Sequence, residues 1–143
     1  MMKSTEEYRD SLRSYSPRVF IDGRRIENVA DEPLLQPGIN GIGITYDYAS
    51  KPEFAPLMLA REQETGKMVN RLLHIDRTTD DLLAKLEAIR ILCCEAGCVQ
   101  RYLVHDAFNG LYQATKRCDA EEGTEYFERF RDFMIEVQDK DLS

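Results

Sequence analysis

The sequence has no apolar run long enough to cross a bilayer as a helix, which takes about 20 residues, so no membrane span is expected. Its first residues, Met1-Met-Lys-Ser-Thr-Glu-Glu-Tyr8, are polar and acidic and lack the basic-then-apolar order of a signal peptide. A cytoplasmic protein is the expectation. Positive charge is scarce: 19 lysines and arginines stand against 26 aspartates and glutamates, for a net charge of −7. Phosphate binding needs a basic face, so nucleic acid is excluded as the default partner. No Cys-x-x-Cys pair exists. Cys93, Cys94, Cys98 and Cys118 do not match a paired zinc framework, and in the cytoplasm they are expected as thiols. Only two histidines occur, His74 and His105, with no partner at ligand spacing and no His-Glu-x-x-His. A nucleophile elbow, a phosphate loop and a kinase signature are absent too. Gly38, Gly41 and Gly43 have no flanking strand, so they do not make a dinucleotide fingerprint, although they permit close approach of a second backbone.

What is present is the composition of a globular protein: 143 residues, 43% hydrophobic and 31% charged. That length fits one domain over 1–143. Ser4-Thr-Glu-Glu7 has the form of a capping box and predicts a helix from Thr5 to Ser14, closed off before Pro17. Arg18 to Ile26 predicts a hairpin, with Asp22-Gly23 supplying the positive-φ residues of a tight turn. Asp31 to Gly38, with Pro33 and Pro37, reads as a loop. Ile39, Ile42, Tyr46 and Ala49 follow at helical spacing. Leu57 to Leu73 fits either a helix or two short arms around Glu64-Thr-Gly66-Lys67. Thr78 with Asp80 and Asp81 caps a helix whose stripe is Leu82, Leu83, Leu86, Ile89 and Ile91. Gly97 would kink that helix or allow a close helix contact. Two more helices are expected, from Val104 to Asp119 and from Thr124 to Gln138. The last one carries Tyr126, Phe127, Phe130, Phe133, Met134 and Val137 on one side. The fold class is therefore mainly α: a bundle-like domain with one or two small hairpins in its N-terminal half, the three C-terminal stripes buried against one another.

Several residues carry chemistry. Cys94 and Cys98 lie four apart and would share a helix face. They can act as metal ligands or as small buried hydrophobes. His105 can bind metal or move a proton, or sit at the surface or a helix cap. Arg101 can grip an anionic substrate group or bridge two helices. Tyr102 can hydrogen-bond a substrate or lie at a core edge. Asp106 and Asn109 suit a helix start and interhelical hydrogen bonds. Glu53, Glu62 and Glu64 show no pairing in the sequence.

The stretch Cys98-Val-Gln-Arg-Tyr102-Leu-Val-His-Asp106-Ala-Phe-Asn109 resembles a cluster-ligand segment of the 4-hydroxybutyryl-CoA dehydratases. These group with the 4-hydroxyphenylacetate 3-hydroxylases in one flavoenzyme family. The family pattern is Cys-x-Gln-Arg-Cys before Asp-Ala-Phe-Asn; here Tyr102 stands at the second cysteine. Thr5 to Arg13, Arg18 to Asn28, Pro37-Gly-Ile39-Asn40, Thr65-Gly66-Lys67, Asn70-Arg71, Thr79 to Leu82 and Gly123 to Tyr126 are also similar.

The resemblance implies the N-terminal helical domain of a longer flavoenzyme, whose middle β and C-terminal helical domains are not in this sequence. FAD would belong to those parts, so none is expected on this chain alone. Tyr102 in place of a cysteine argues against an iron–sulfur cluster. The hydroxylase branch has an arginine and a tyrosine where this chain has Leu103 and Ala107. The implied function is an N-terminal domain or split subunit, inactive alone, that lends a substrate-side wall with Arg101, Tyr102 and His105 facing the substrate. A complementary flavin-binding chain is then the expected partner. Two alternatives are a non-catalytic homo-oligomeric assembly module and a small iron-binding protein using Cys94 and Cys98.

Overall fold

A computed structural model describes residues 2–98 and 101–142. Helix α1 (Thr5–Ser14) begins with the expected capping box, Ser4 accepting from the Glu7 N–H while Glu7 accepts from the Ser4 N–H. Strands β1 (Val19–Ile21) and β2 (Arg24–Ile26) pair antiparallel, with Phe20 opposite Arg25. Asp22 and Gly23 turn the chain at φ 49° and 78°, the two positive values such a turn requires. Helix α2 (Gln36–Ser50) takes Pro37 into its first turn. The loop expected as far as Gly38 therefore ends three residues earlier, at Leu35. Proline is tolerated there because its missing N–H has no helical partner in any case.

A short helix α3 (Ala55–Met58) leads into a second hairpin, β3 (Leu59–Arg61) against β4 (Met68–Asn70). Of the two readings of 57–73, the extended one holds. Gly66, at φ 69°, makes the turn. A single 3-10 turn, Arg71–Leu73, follows. Helix α4 (Thr79–Ala96) starts with a second capping box, Thr78 with Asp81. Gly97 ends it rather than kinking it: at φ 76° its N–H closes onto the Cys93 carbonyl. Helix α5 (Tyr102–Glu122) starts two residues before the expected Val104 and ends at the left-handed Gly123, and α6 spans Tyr126–Asp139. The mainly helical fold with two small hairpins is as expected. No helix among the described residues is long and apolar enough to cross a membrane.

The C-terminal stripes do not form one three-helix core. Phe108 and Tyr112 of α5 meet Phe130, Met134 and Val137 of α6 over Leu73 and Ile75. Helix α4 instead packs Ala88 and Leu92 against Ala49 of α2, Met58 of α3 and Leu72. The segment around Leu72 and Leu73 thus stands between two cores, one side chain in each. A third cluster joins α1 to α2 through Tyr8, Ile39 and Tyr46. There Gly43 is required: a Cβ would fall 2.6 Å from the Thr5 methyl, and the Thr5 hydroxyl donates to the Gly43 carbonyl at 2.7 Å. Within the predicted α4 stripe, Leu82, Leu83 and Leu86 are exposed, and so are Tyr126 and Phe133 of α6. Periodicity identified apolar faces but not which of them the core would take.

Candidate functional site

The segment singled out in the sequence lies where α4 gives way to α5. Val99 and Gln100, the latter part of the family pattern, are outside the described residues. Arg101, His105 and Asn109 succeed one another at one-turn intervals, so all three project from one face of α5. That face is turned inward, toward the 74–76 segment and the C-terminal end of the described chain.

Arg101 is buried. Its guanidinium pairs with the Asp141 carboxylate, both side chains fully removed from solvent. It also donates to the Leu142 carbonyl at 3.0 Å and lies over the Tyr46 ring, 4.2 Å from its centre. Asp141 is itself held by two further hydrogen bonds. Its carboxylate accepts from the Lys3 N–H at 3.0 Å and its carbonyl accepts from the Tyr46 hydroxyl at 3.0 Å, with its backbone at φ 45°. Lys3, beside this pair, has its pKa lowered, chiefly because partial burial disfavours the ammonium. Arg101 is thus engaged in the helix-bridging manner, not pointed at solvent.

His105 is fully buried rather than at the surface or a cap. Its Nε2 lies 3.2 Å from Asp76 Oδ1 and its Nδ1 3.5 Å from Asp106 Oδ1. A carboxylate only accepts, so the closer pairing assigns the proton to Nε2. Asn109 completes the docking of α5. Its carbonyl oxygen accepts from the Asp76 N–H at 2.8 Å and its amide donates to the His74 carbonyl at 3.2 Å. Asp106 points outward and pairs with Lys85 of α4 at 3.2 Å.

Burial pushes the His105 pKa down against the opposing pull of Asp76. In the unfolded chain the imidazole titrates near its ordinary value of about 6.5. Folding therefore favours the neutral ring. The contribution is complete above that value and is lost as the pH falls through the lowered folded value. Between pH 7 and pH 5 the melting temperature of the native chain is expected to fall more than that of His105→Gln. Calorimetry on both proteins checks it, and equal slopes would refute the assignment.

Tyr102 is half-buried at the edge of the α2–α4 core. Cys94 and Cys98 are both exposed, which overturns their reading as buried hydrophobes. Cys98 helps line a groove of about 220 Å³ with Pro37, Gly38, Gly41, Ile42 and Ala96. A Cβ on Gly41 would stand 3.7 Å from the Cys98 carbonyl, so the α2 glycines do admit a second backbone. The iron–sulfur cluster of the resembling dehydratases does not fit this donor set. Two thiols are available, a phenol occupies the second ligand position, and phenolate oxygen is a poor substitute for sulfur there. Among the described residues no three His, Cys, Asp or Glu side chains converge on one metal position.

Glu62 and Glu64 are paired after all. Arg77 reaches both, at 3.6 and 2.8 Å, and hydrogen-bonds the Tyr112 hydroxyl, which in turn donates to Glu64 at 3.0 Å. Sequence reasoning missed this network, and Asp76 and Asp141 with it, because each partner lies on a different element.

These features define a helical domain in which Arg101 and His105 are tied inward by Asp141 and Asp76, while Cys94, Cys98 and Cys118 are exposed. The chain belongs to the family described as 4-hydroxyphenylacetate 3-hydroxylase N terminal, whose model matches residues 4–143. It is 36% identical over 143 residues to the 4-hydroxybutyryl-CoA dehydratase/vinylacetyl-CoA-Δ-isomerase of Clostridium aminobutyricum, covering 99% of this chain and 29% of that protein. Among solved structures it matches the oxygen-tolerant archaeal 4-hydroxybutyryl-CoA dehydratase from N. maritimus with a TM-score of 0.93 and 34% identity, over 99% of this chain and 28% of that one. The oxygenase component of 4-hydroxyphenylacetate 3-monooxygenase, solved with FAD, shares the fold at a TM-score of 0.76 and 20% identity, over 97% of this chain and 28% of that one. The chain spans less than a third of the length of these relatives.

Proposed function

We propose that this chain acts as the N-terminal domain, or the separate N-terminal subunit, of a flavoenzyme of the 4-hydroxybutyryl-CoA dehydratase type. The observation that carries this reading is coverage: the match runs end to end on this chain and takes in under a third of each relative. The dehydratase branch is favoured over the hydroxylase branch by 34–36% identity over 99% of this chain, against 20% over 97% or 31% over only 60% of it. Flavin and the greater part of the active site would come from the remaining polypeptide. This chain would lend a wall at the α4–α5 junction, with Tyr102 presenting its partly exposed ring and Arg101 and His105 fixing the first turns of α5 from behind. Such a wall binds and orients; it supplies no redox group.

The purified chain alone is therefore expected to show no flavin absorbance and no dehydration of 4-hydroxybutyryl-CoA. An absorbance spectrum and a coupled assay check both. Turnover by the isolated chain would sink the proposal.

A further inference from the structure

Helix α5 shows a second apolar stripe, beside the one that packs on α6. Leu103, Ala107, Leu111, Ala114 and Cys118 recur at spacings of four, four, three and four, and all five are exposed. Such a stripe on a long helix is the pattern of a buried face. On α4 the exposed Leu82, Leu83 and Leu86 do the same. The ion pair between Lys85 and Asp106 links the two helices, with Leu86 one position away on α4 and Leu103 three away on α5. A leucine left in water forgoes the stabilisation that burial would give it, so five exposed leucines on these two helices mark a surface with an occupant.

We infer that this α4–α5 face is the docking surface for an apolar, helical part of the polypeptide that completes the family enzyme. The inference rests on the proposed function and names the surface that function would use.

Charge and length select this occupant. The charged residues flanking the stripes are already paired within the chain: Lys85 with Asp106, Arg90 with Glu87, and Arg117 with Glu121. The two helices are acidic on balance, which does not attract nucleic acid or an anionic lipid surface. Ala107, Gly110 and Ala114 beside the α5 leucines allow a second helix to approach closely. The fold matches the archaeal dehydratase at a TM-score of 0.93 over only 28% of that chain, so most of the relative's length lies outside this domain. An uncovered apolar face is where it would pack.

The test uses the full chain co-expressed with a polypeptide comprising the remaining length of the Clostridium aminobutyricum dehydratase. Cys94 and Cys118, exposed on these two helices, serve as built-in reporters. Their labelling by a maleimide is expected to be fast in the free chain and slowed roughly ten-fold or more in the complex, as burial in a contact requires. Leu86→Glu and Leu111→Glu, both at exposed positions, are expected to keep the helical circular dichroism and weaken association roughly ten-fold or more. Phe20→Glu on the β1 hairpin is the control and should change nothing. Complex formation with undiminished labelling, and with the leucine variants binding as well as the native chain, would overturn the inference and leave the proposed function standing. Absence of any complex would overturn both. A homodimer of the chain that the same variants disrupt would overturn the inference in favour of a second copy as occupant.

Discussion

Asp141→Ala is expected to destabilise the chain by about 3–5 kcal/mol, because it leaves Arg101 charged, buried and unpaired. The Arg101–Asp141 pair is fully enclosed and the surrounding structure is built onto it. The Lys3 N–H, the Tyr46 hydroxyl and the Thr45 hydroxyl all converge on it, the last at 3.4 Å from the guanidinium. Removing the carboxylate loses the ion pair and the Lys3 anchor of α1 together. The guanidinium keeps its contacts with Leu142 and Tyr46, which do not neutralise it. Replacing both partners by apolar residues, Arg101→Met with Asp141→Leu, is expected to cost much less than the single change, since no uncompensated charge remains. Urea denaturation of the two single variants and the double variant measures this coupling. Strict additivity would contradict it.

The second large effect is expected at Glu62, whose side chain has no exposure. Its carboxylate accepts from the Ile75 N–H at 3.2 Å, the Glu64 N–H at 3.3 Å and the Gln138 amide at 3.2 Å. It thereby ties the second hairpin, the 71–75 segment and α6 together. Glu62→Ala leaves three donors short of their acceptor and removes one of the two carboxylates facing Arg77. Each unsatisfied buried group costs about 1–3 kcal/mol, with partial relief where Gln138 still reaches the Leu73 carbonyl at 2.8 Å. A loss of roughly 2–4 kcal/mol is the expectation. Glu62→Gln keeps an acceptor oxygen in place and is expected to lose less. Thermal unfolding of the two variants separates the cases, and equal losses would mean that the hydrogen bonds at Glu62 contribute nothing.

How far the sequence carried the fold depended on how local each determinant is. The two capping boxes, at Ser4 and Thr78, and the Asp22-Gly23 turn are complete within four residues, and each lies where the sequence placed it. The ion pair of Arg101 spans 40 residues and the hydrogen bond of His105 to Asp76 spans 29. Nothing near either residue announces its partner, so both looked available to a substrate. The leucines of α4 show a different shortfall. Helical periodicity reports that a face is apolar, yet a face that meets the core and one that stays exposed have the same pattern. Leu92 is buried and Leu86 is exposed. The candidate site was legible as a lineage, through Cys98 and Asp106-Ala-Phe-Asn109. Its chemistry was not, because Tyr102 stands where the pattern has a cysteine.

The central claim is that this chain is one part of a larger flavoenzyme. Its most direct measurement is complementation. The Clostridium aminobutyricum dehydratase is expressed without the N-terminal portion that this chain matches, 29% of its length. Flavin content and dehydration of 4-hydroxybutyryl-CoA are then followed as this chain is added. The account predicts a stoichiometric complex that retains flavin, with activity that is absent from either part and appears only in their mixture. Flavin and activity in the truncated protein that do not change on addition of this chain would contradict it.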